Sequence, residues 1–180
     1  MNKLRFIKVR DVQSLKRSNQ GDAGLDFYIP RDLTVNELMD IPQNYDQDIA
    51  YLTEYTSYGH ITEIILPAHS RILIPSGIKL LIEPRESMLM AANKSGVSTK
   101  SGLIFTAEIV DSPYVGEVHI GVVNTSNNSV SIKANQKLVQ FIHVPIYLTE
   151  PEEIQNEEFY SESQMWGSRG TNGFGSTDNQ

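Results

Sequence analysis

Short stretches that alternate hydrophobic and polar residues, separated by turn residues, run along most of the chain. Alternation with a period of two predicts β-strands with one buried face. The strands predicted in this way are Leu4–Val9, Leu25–Ile29, Ile61–Leu66, Arg71–Ile74, Gly77–Glu83, Glu117–Asn124, Ser129–Lys133 and Lys137–Leu148. Regularly spaced short strands are typical of an all-β sandwich, jelly roll or barrel.

One stretch, residues 34–60, departs from this rhythm and predicts an acidic, tyrosine-rich insertion on the β core. Thr34 and Glu37 have the spacing of a capping box, which predicts a short helix that ends before Pro42. A second short helix is indicated by the apolar residues Ile49, Leu52 and Tyr55. A long solvated loop is the alternative interpretation of the whole stretch.

The end of the chain differs in composition from the rest. Residues 150–158 are acidic and poor in apolar side chains, which predicts a linker. The final segment, Arg169–Thr177, has three glycines that free backbone N–H groups to surround an anion, together with an arginine and hydroxyl groups suited to phosphate. The domain prediction is a β core over residues 1–150, followed by a linker and C-terminal arm over residues 151–180. A solvated tail is the alternative.

The 180 residues carry a formal net charge of −7 and include no cysteine. A general nucleic-acid binder needs a basic face, so this charge argues against nucleic acid as a partner. Without cysteine there is no disulfide framework, thiolate zinc site or cysteine nucleophile. We expect a cytoplasmic protein without a membrane span, because the chain shows no signal-peptide pattern and no apolar run of sufficient length.

Five separate stretches carry residues suited to binding a nucleoside triphosphate. Ala23–Asp26 places a carboxylate at the start of a strand, and Lys94–Ser98 offers a cation, a hydroxyl and a backbone amide in succession. Val110–Glu117 places the carboxylate of Asp111 at the mouth of a predicted hairpin. Lys137–Gln140 ends on an amide that suits a phosphate or a metal-bound water, and the glycine-rich end is the fifth stretch. Taken singly, each has an ordinary explanation as a turn cap, a surface turn or a tail.

In this order, the five stretches resemble the five motifs of the homotrimeric deoxyuridine triphosphatases (dUTPases). The resemblance spans about Gly21 to Thr177 apart from the insertion, and the glycine-rich end matches the fifth motif almost letter for letter. It implies a distorted jelly roll, or β-clip, as the subunit fold. It also implies hydrolysis of dUTP to dUMP and pyrophosphate by a homotrimer with shared active sites, in which each C-terminal arm is swapped onto a neighbouring subunit.

The resemblance also implies roles for individual residues. Asp111 would be the general base that activates water for attack on the α-phosphate, and Tyr114 would pack on the deoxyribose and exclude a 2′-hydroxyl. Phe174 would close over the uracil ring as the arm orders. Mg²⁺ would bridge the triphosphate oxygens, with Asp26 and Gln140 acting through its waters. The other substrate-binding residues would be Lys94, Ser95, Gly96, Gln140, Arg169, Gly173, Gly175, Ser176 and Thr177.

The chain departs from the family pattern at several positions. Lys94 replaces the usual arginine of the second motif. Pro113 and Val115 replace the aspartate and arginine around Tyr114, and Glu108 stands where a glycine is usual. These changes leave a hydrolytic site in place and put turnover and base selectivity in question. They indicate a divergent family member, for which a phage or viral source is a hypothesis.

Two alternatives stay open. Deoxycytidine triphosphate deaminases share the fold, but they carry a catalytic glutamate on the strand after the third motif, where this chain has His119–Val123 without a carboxylate. Glu108 and Glu117 keep a deaminase among the alternatives. The second is a regulatory protein that uses this fold to bind a protein partner, with the acidic insertion as the contact surface.

Overall fold

The computed structural model describes residues 3–45 and 52–163, including all their side chains except those of residues 161–163. The chain divides into two compact units, Met1–Tyr147 and Leu148–Gln180. Within the described residues, the first unit contains the β-structure and the second contains one helix, Asn156–Ser163. None of the described helices is long and apolar enough to cross a membrane.

The described strands pair in antiparallel fashion throughout. In chain order they are β1 (Lys3–Lys8), β2 (Gly24–Tyr28), β3 (Thr53–Tyr55), β4 (Ile61–Leu66), β5 (Arg71–Glu83), β6 (Ser87–Ala92), β7 (Leu103–Thr106), β8 (Ile109–Asp111), β9 (Glu117–Asn124), β10 (Val130–Lys133) and β11 (Lys137–Pro145). The helices are α1 (Val35–Met39), α2 (Ser95–Ser101) and α3 (Asn156–Ser163), and Pro42–Asn44 forms a 3₁₀ turn. Within the described residues, the sheets have the strand orders β1-β5-β9-β7, β2-β11-β6-β8 and β10-β4-β3. This architecture confirms the prediction of an all-β fold.

A common core of buried apolar residues joins the three sheets. Phe27 of β2 and Phe141 of β11 are almost fully buried, with their ring centroids 4.5 Å apart. Ile64 of β4 and Val122 of β9 belong to the same cluster. Burial of one such large side chain contributes roughly 1.5–3 kcal/mol. The apolar positions that predict the strands therefore also supply the packing that holds the sheets together.

Several predicted strands lie where the sequence pattern places them. Ile61–Leu66 and Glu117–Asn124 match in both bounds. The strands predicted at Arg71–Ile74 and Gly77–Glu83 instead form one long strand, β5. Gly77 has a positive φ of 74° and lies within an irregularity of the pairing with β9, so the chain passes this point without ending the strand.

The sequence pattern did not predict β3, β6, β7, β8, α2 or α3, and α3 begins within the stretch predicted as a linker. β3 and β8 have three residues each, too few to show an alternation. β6 contains two methionines and two alanines, and alanine is depleted in strands. α2 is polar, and the sequence predicts a phosphate-binding stretch or a surface turn in its place. It ends at Gly102, whose positive φ of 68° closes the last turn.

The first part of the insertion is folded rather than a long solvated loop. Thr34 and Glu37 form the predicted capping box, and Leu38 of α1 is fully buried. The prediction of a second helix is wrong at Tyr55, which belongs to β3. β3 pairs with β4, because the edge of β4 has backbone N–H and C=O groups that can form hydrogen bonds with a further strand. Ile49, part of the same prediction, lies outside the described residues.

Candidate active site

Asp26 lies in β2 with only 3% of its side chain exposed. Lys94 Nζ donates to Oδ1 at 2.6 Å, Ser18 Oγ donates to Oδ2 at 2.7 Å, and Lys137 Nζ lies 3.1 Å from Oδ2. Burial by itself raises the pKa of this carboxyl, but the hydrogen bonds from the two lysines and the serine outweigh it and hold the pKa of Asp26 below its ordinary value. Asp26 is therefore an ionised carboxylate that draws two lysines together. We call Ser18, Asp26, Lys94 and Lys137 the Asp26 cluster.

Strand pairing brings the first, second and fourth motifs together at this cluster. Gln140 of β11 pairs with Asp26 on one side and with β6 on the other. Lys94 follows soon after β6 and is the N-cap residue of α2, so Ser95 and Gly96 lie exposed in the first turn of that helix. These predicted substrate-binding residues therefore surround one corner of the β2–β11–β6 sheet.

Gly24, the first residue of β2, makes room for the side chain of Gln140. A Cβ atom at position 24 would lie 2.8 Å from Gln140 Cβ, well inside contact distance. The Gln140 side chain fills that space, and its Nε2 donates a hydrogen bond to the Asn93 carbonyl at 3.2 Å. The glycine of the first motif thus positions the amide of the fourth.

The third motif lines a separate cleft with a volume of about 490 Å³. Small-molecule sites commonly have volumes of about 300–1,000 Å³. Asp111, the last residue of β8, and Tyr114 both line this cleft. The other lining residues are Asp40, Ile41, Pro42, Gln43, Leu73, Ala107, Ile109, Val110, Val118 and His119. The cleft therefore combines a carboxylate, an aromatic ring and several apolar side chains.

The turn after Asp111 connects two sheets, so the predicted hairpin is wrong. β8 pairs with β6, whereas β9 pairs with β5 and β7. The Tyr114 N–H donates to the Asp111 carbonyl at 3.0 Å and closes a β-turn. Ser112 Oγ donates to the Arg85 carbonyl at 2.8 Å and ties the turn to the loop before β6. Asp111 consequently lies where the chain crosses from one sheet to the next.

Tyr114 is held against the backbone of Gly116. Its hydroxyl donates a hydrogen bond to the Glu117 carbonyl at 2.9 Å, and His119 Nδ1 lies 2.9 Å from the same oxygen. A Cβ atom at position 116 would lie 2.5 Å from Tyr114 Cζ. Because the ring fills this space, the glycine is needed for the observed position of Tyr114.

A charged network that joins α1 to the start of β9 was missed by the sequence analysis. Arg10 Nε donates to Glu117 Oε1 at 2.8 Å, and the Gly77 N–H donates to the same oxygen at 2.7 Å. The Arg10 guanidinium also pairs with Glu37 of α1. Burial by itself raises the pKa of Glu37. The hydrogen bonds from Arg10 and Thr34 lower it by more than that, so the pKa lies below its ordinary value. These residues are far apart in sequence, so no local motif marks them. We call Arg10, Glu37 and Glu117 the Arg10 network.

The Asp26 cluster and the cleft lie apart within one chain. Gln140 pairs with Ala92 at one end of β6, and Asp111 pairs with Met88 near the other end. These two positions on β6 are four residues apart, which is roughly 13 Å of strand. One chain therefore brings together the first, second and fourth motifs and holds the third at a distance.

The fifth motif lies outside the described residues. This applies to the predicted substrate-binding residues Arg169, Gly173, Phe174, Gly175, Ser176 and Thr177. Their contacts stay a prediction from the sequence.

The positions that depart from the family pattern are accommodated in the fold. Glu108 is exposed in the turn between β7 and β8, and its carbonyl accepts a hydrogen bond from the Ala91 N–H at 2.6 Å. Ala107, just before it, has a positive φ of 56°, an uncommon conformation for a residue with a side chain. Lys94 uses its charge to pair with Asp26. The unusual backbone at Ala107 lies at the wall of the cleft.

Comparisons with known proteins identify the family. The dUTPase family model matches residues 59–178. A deoxyuridine 5′-triphosphate nucleotidohydrolase of Fusobacterium nucleatum is 34% identical over 119 residues, which cover 63% of this chain and 74% of that protein. This chain belongs to the dUTPase family.

Solved dUTPases share the fold. A variant of the Staphylococcus bacteriophage 80alpha dUTPase with dUpNHpp superimposes with a TM-score of 0.68, covering 98% of this chain and 99% of the other at 20% identity. A variant of the dUTPase of S. aureus phage phi11, in which a structural Mg(II) ion is coordinated, gives a TM-score of 0.62 over 86% of this chain and 98% of the other at 16% identity. These similarities confirm the predicted jelly-roll-like class.

Proposed function

We propose that the protein hydrolyses dUTP to dUMP and pyrophosphate. The observation that carries this proposal is that Asp111 and Tyr114 line one cleft in a member of the dUTPase family. A carboxylate can serve as the general base that activates water, and deoxyribose packing needs a flat apolar surface. The cleft provides both groups on one short turn. A cytoplasmic location for this activity stays a prediction from the sequence.

Asp111 acts as the general base in this proposal. Its exposed carboxylate takes a proton from a water molecule while the water oxygen forms a bond to the α-phosphorus. The bond between the α-phosphorus and the oxygen bridging to the β-phosphorus breaks, and pyrophosphate leaves. The Tyr114 ring, fixed by its hydroxyl and by Gly116, stacks on the deoxyribose and leaves no room for a 2′-hydroxyl.

The Asp26 cluster faces the triphosphate in this proposal. Lys94 and Lys137 supply local positive charge in a chain whose net charge is −7. The Ser95 hydroxyl, the Gly96 N–H and the Gln140 amide add hydrogen bonds to phosphate oxygens. The arm would complete the site through Arg169, Gly173, Phe174, Gly175, Ser176 and Thr177.

Asp26 and Gln140 are the described residues proposed to hold Mg²⁺ through its waters, and the ion would partly neutralise the charge of the triphosphate. Mg²⁺ prefers oxygen ligands and often binds through one or two carboxylates and substrate phosphates. The described residues include no group of three or more acidic or histidine side chains that would hold the ion alone. Both oxygens of Asp26 accept hydrogen bonds within its cluster, and a carboxylate has further acceptor capacity for a metal-bound water.

We propose a homotrimer with shared sites as the working form. The separation of the Asp26 cluster from the cleft within one chain supports this, since a second copy can place its cleft against the Asp26 cluster of the first. Exposed apolar side chains on β1 and β5 offer surface for contact between subunits. They include Phe6, Ile7 and Leu81, which are 37%, 61% and 46% exposed. In this arrangement the third subunit supplies the C-terminal arm.

Pyrophosphate release from dUTP, dCTP, dTTP and UTP in the presence of Mg²⁺ tests the proposal. We expect turnover of dUTP, and a loss of about 10²–10⁴-fold in Asp111→Asn, the usual contribution of a general base. Glu54→Gln is the matched control, because it neutralises an exposed carboxylate that does not line the cleft. Absence of turnover with all four nucleotides, or full activity in Asp111→Asn, would contradict the proposal.

A deaminase is the weaker alternative. β9 carries one carboxylate, Glu117, and Arg10 and the Gly77 N–H already occupy it. A glutamate bonded in this way is not available to move protons on a cytosine ring. Ammonia release from dCTP, measured in the same reactions, would revive this alternative.

A regulatory role through a protein partner at the insertion is a second candidate function. Tyr45, Tyr55 and Tyr58 are 69%, 61% and 87% exposed, and tyrosine is enriched at protein interfaces. Asp111→Asn separates the two roles, because it removes the proposed base and leaves these tyrosines in place. A cellular function that persists in that variant would favour partner binding.

A further inference from the structure

The insertion supplies one wall of the cleft. Residues 40–43, which run from the end of α1 into the 3₁₀ turn, line the same cleft as Asp111, Tyr114 and His119. The family model begins to match only at residue 59. This wall is therefore built from a part of the insertion that lies before the stretch matched by the family model.

The wall is anchored at both ends. On one side, Leu38 is fully buried and Glu37 pairs with Arg10. On the other side, Asn44 is 1% exposed, and its side chain bonds both backbone groups of Leu73. Asn44 Nδ2 donates to the Leu73 carbonyl at 2.9 Å, and Asn44 Oδ1 accepts from the Leu73 N–H at 2.9 Å. Leu73 itself lines the cleft. Residues 40–43, which lie between these anchors, are therefore held against the cleft.

The chemistry of the wall suits a nucleoside rather than a phosphate. Asp40 brings a carboxylate, which repels a triphosphate and therefore favours the uncharged end of a nucleotide. Its oxygens accept hydrogen bonds from an N–H group of a base. Gln43 offers both a donor and an acceptor, as does the polar edge of a pyrimidine. Ile41 and Pro42 lie between them and provide apolar contact.

We propose that Asp40 and Gln43 contact the nucleoside of the substrate and contribute to the choice between bases. This rests on the proposed function, because it requires a nucleotide in the cleft with its sugar at Tyr114. The insertion then acts as a specificity wall for the reaction.

Steady-state kinetics of the double variant Asp40→Ala/Gln43→Ala test the proposal. We expect kcat/KM for dUTP to fall at least tenfold, mainly through KM, and the preference for dUTP over dCTP to fall at least fivefold. Asn36→Ala is the matched control, a change from an exposed polar residue on α1 that does not line the cleft. It should keep both values within twofold. The proposal would be overturned if the double variant kept a preference for dUTP over dCTP within twofold of that of the wild type.

Calorimetric titration with dUpNHpp and its deoxycytidine counterpart separates this proposal from the proposed function. If the wild-type protein releases no pyrophosphate but the double variant loses selective binding of dUpNHpp, the specificity wall stands and hydrolysis fails. If hydrolysis is normal and the double variant binds both analogues as the wild type does, the wall fails and hydrolysis stands. Thermal melting of each variant confirms that the fold is retained.

Discussion

Two aspartates of the predicted site have opposite surroundings. Asp26 is 3% exposed, with both oxygens bonded to lysines and a serine, whereas Asp111 is exposed at the end of a strand beside a cleft. The hydrogen bonds that lower the pKa of Asp26 also make it a poor proton acceptor. Asp111 is open to water and substrate. The contrast separates an aspartate that draws two lysines together from one that is accessible for the proposed role of general base.

The largest expected difference between the two aspartates is in how much each Asp→Asn substitution lowers the free energy of unfolding. Asp26→Asn removes the charge that Lys94 and Lys137 share, and the free energy of unfolding should fall by about 1–3 kcal/mol. Asp111→Asn changes an exposed side chain and should shift it by less than about 0.5 kcal/mol. Urea denaturation followed by circular dichroism measures both values. Equal losses in the two variants would break the comparison.

The next largest effect is expected on activity, through the position of the Tyr114 ring beside Gly116. Gly116→Ala places a Cβ where the Tyr114 ring lies, so the ring must move, and kcat/KM for dUTP should fall roughly 10–100-fold. Tyr114→Phe keeps the ring and removes only the hydrogen bond to the Glu117 carbonyl. Because the ring keeps its place beside Gly116, the loss of activity in Tyr114→Phe should be smaller than in Gly116→Ala. A Gly116→Ala enzyme with normal kinetics would show that the ring position does not matter.

The smallest effect is the acid dependence of the Asp26 cluster. Burial raises the pKa of Asp26, but its hydrogen bonds lower it below the ordinary value of 3.8. The ion pairs therefore stabilise the fold above about pH 4, and this contribution is lost as the pH falls through the lower folded pKa. The difference in unfolding free energy between wild type and Asp26→Asn should shrink between about pH 7 and about pH 3. A constant difference across this pH range would count against the ion pairs.

The sequence predicts the site in parts rather than as a whole. The motifs identify Lys94 and Gln140 as residue types suited to phosphate and Asp26 as a carboxylate suited to a metal-bound water, and strand pairing then brings them together. The order of the motifs does not predict the separation of Asp111 from this group. That separation depends on the pairing of β8 with β6. The hairpin prediction fails for the same reason.

By itself, the sequence determined the all-β class, the capping box at Thr34 and the five ordered motifs. Alternation, capping and glycine-rich turns are local properties, so a short window of residues is enough to detect them. The tertiary structure alone decided that residues 40–43 wall the cleft, that Arg10 joins Glu37 to Glu117, and that Gly24 makes room for Gln140. These contacts join segments far apart in the chain, and they form only once packing and strand pairing have brought those segments side by side.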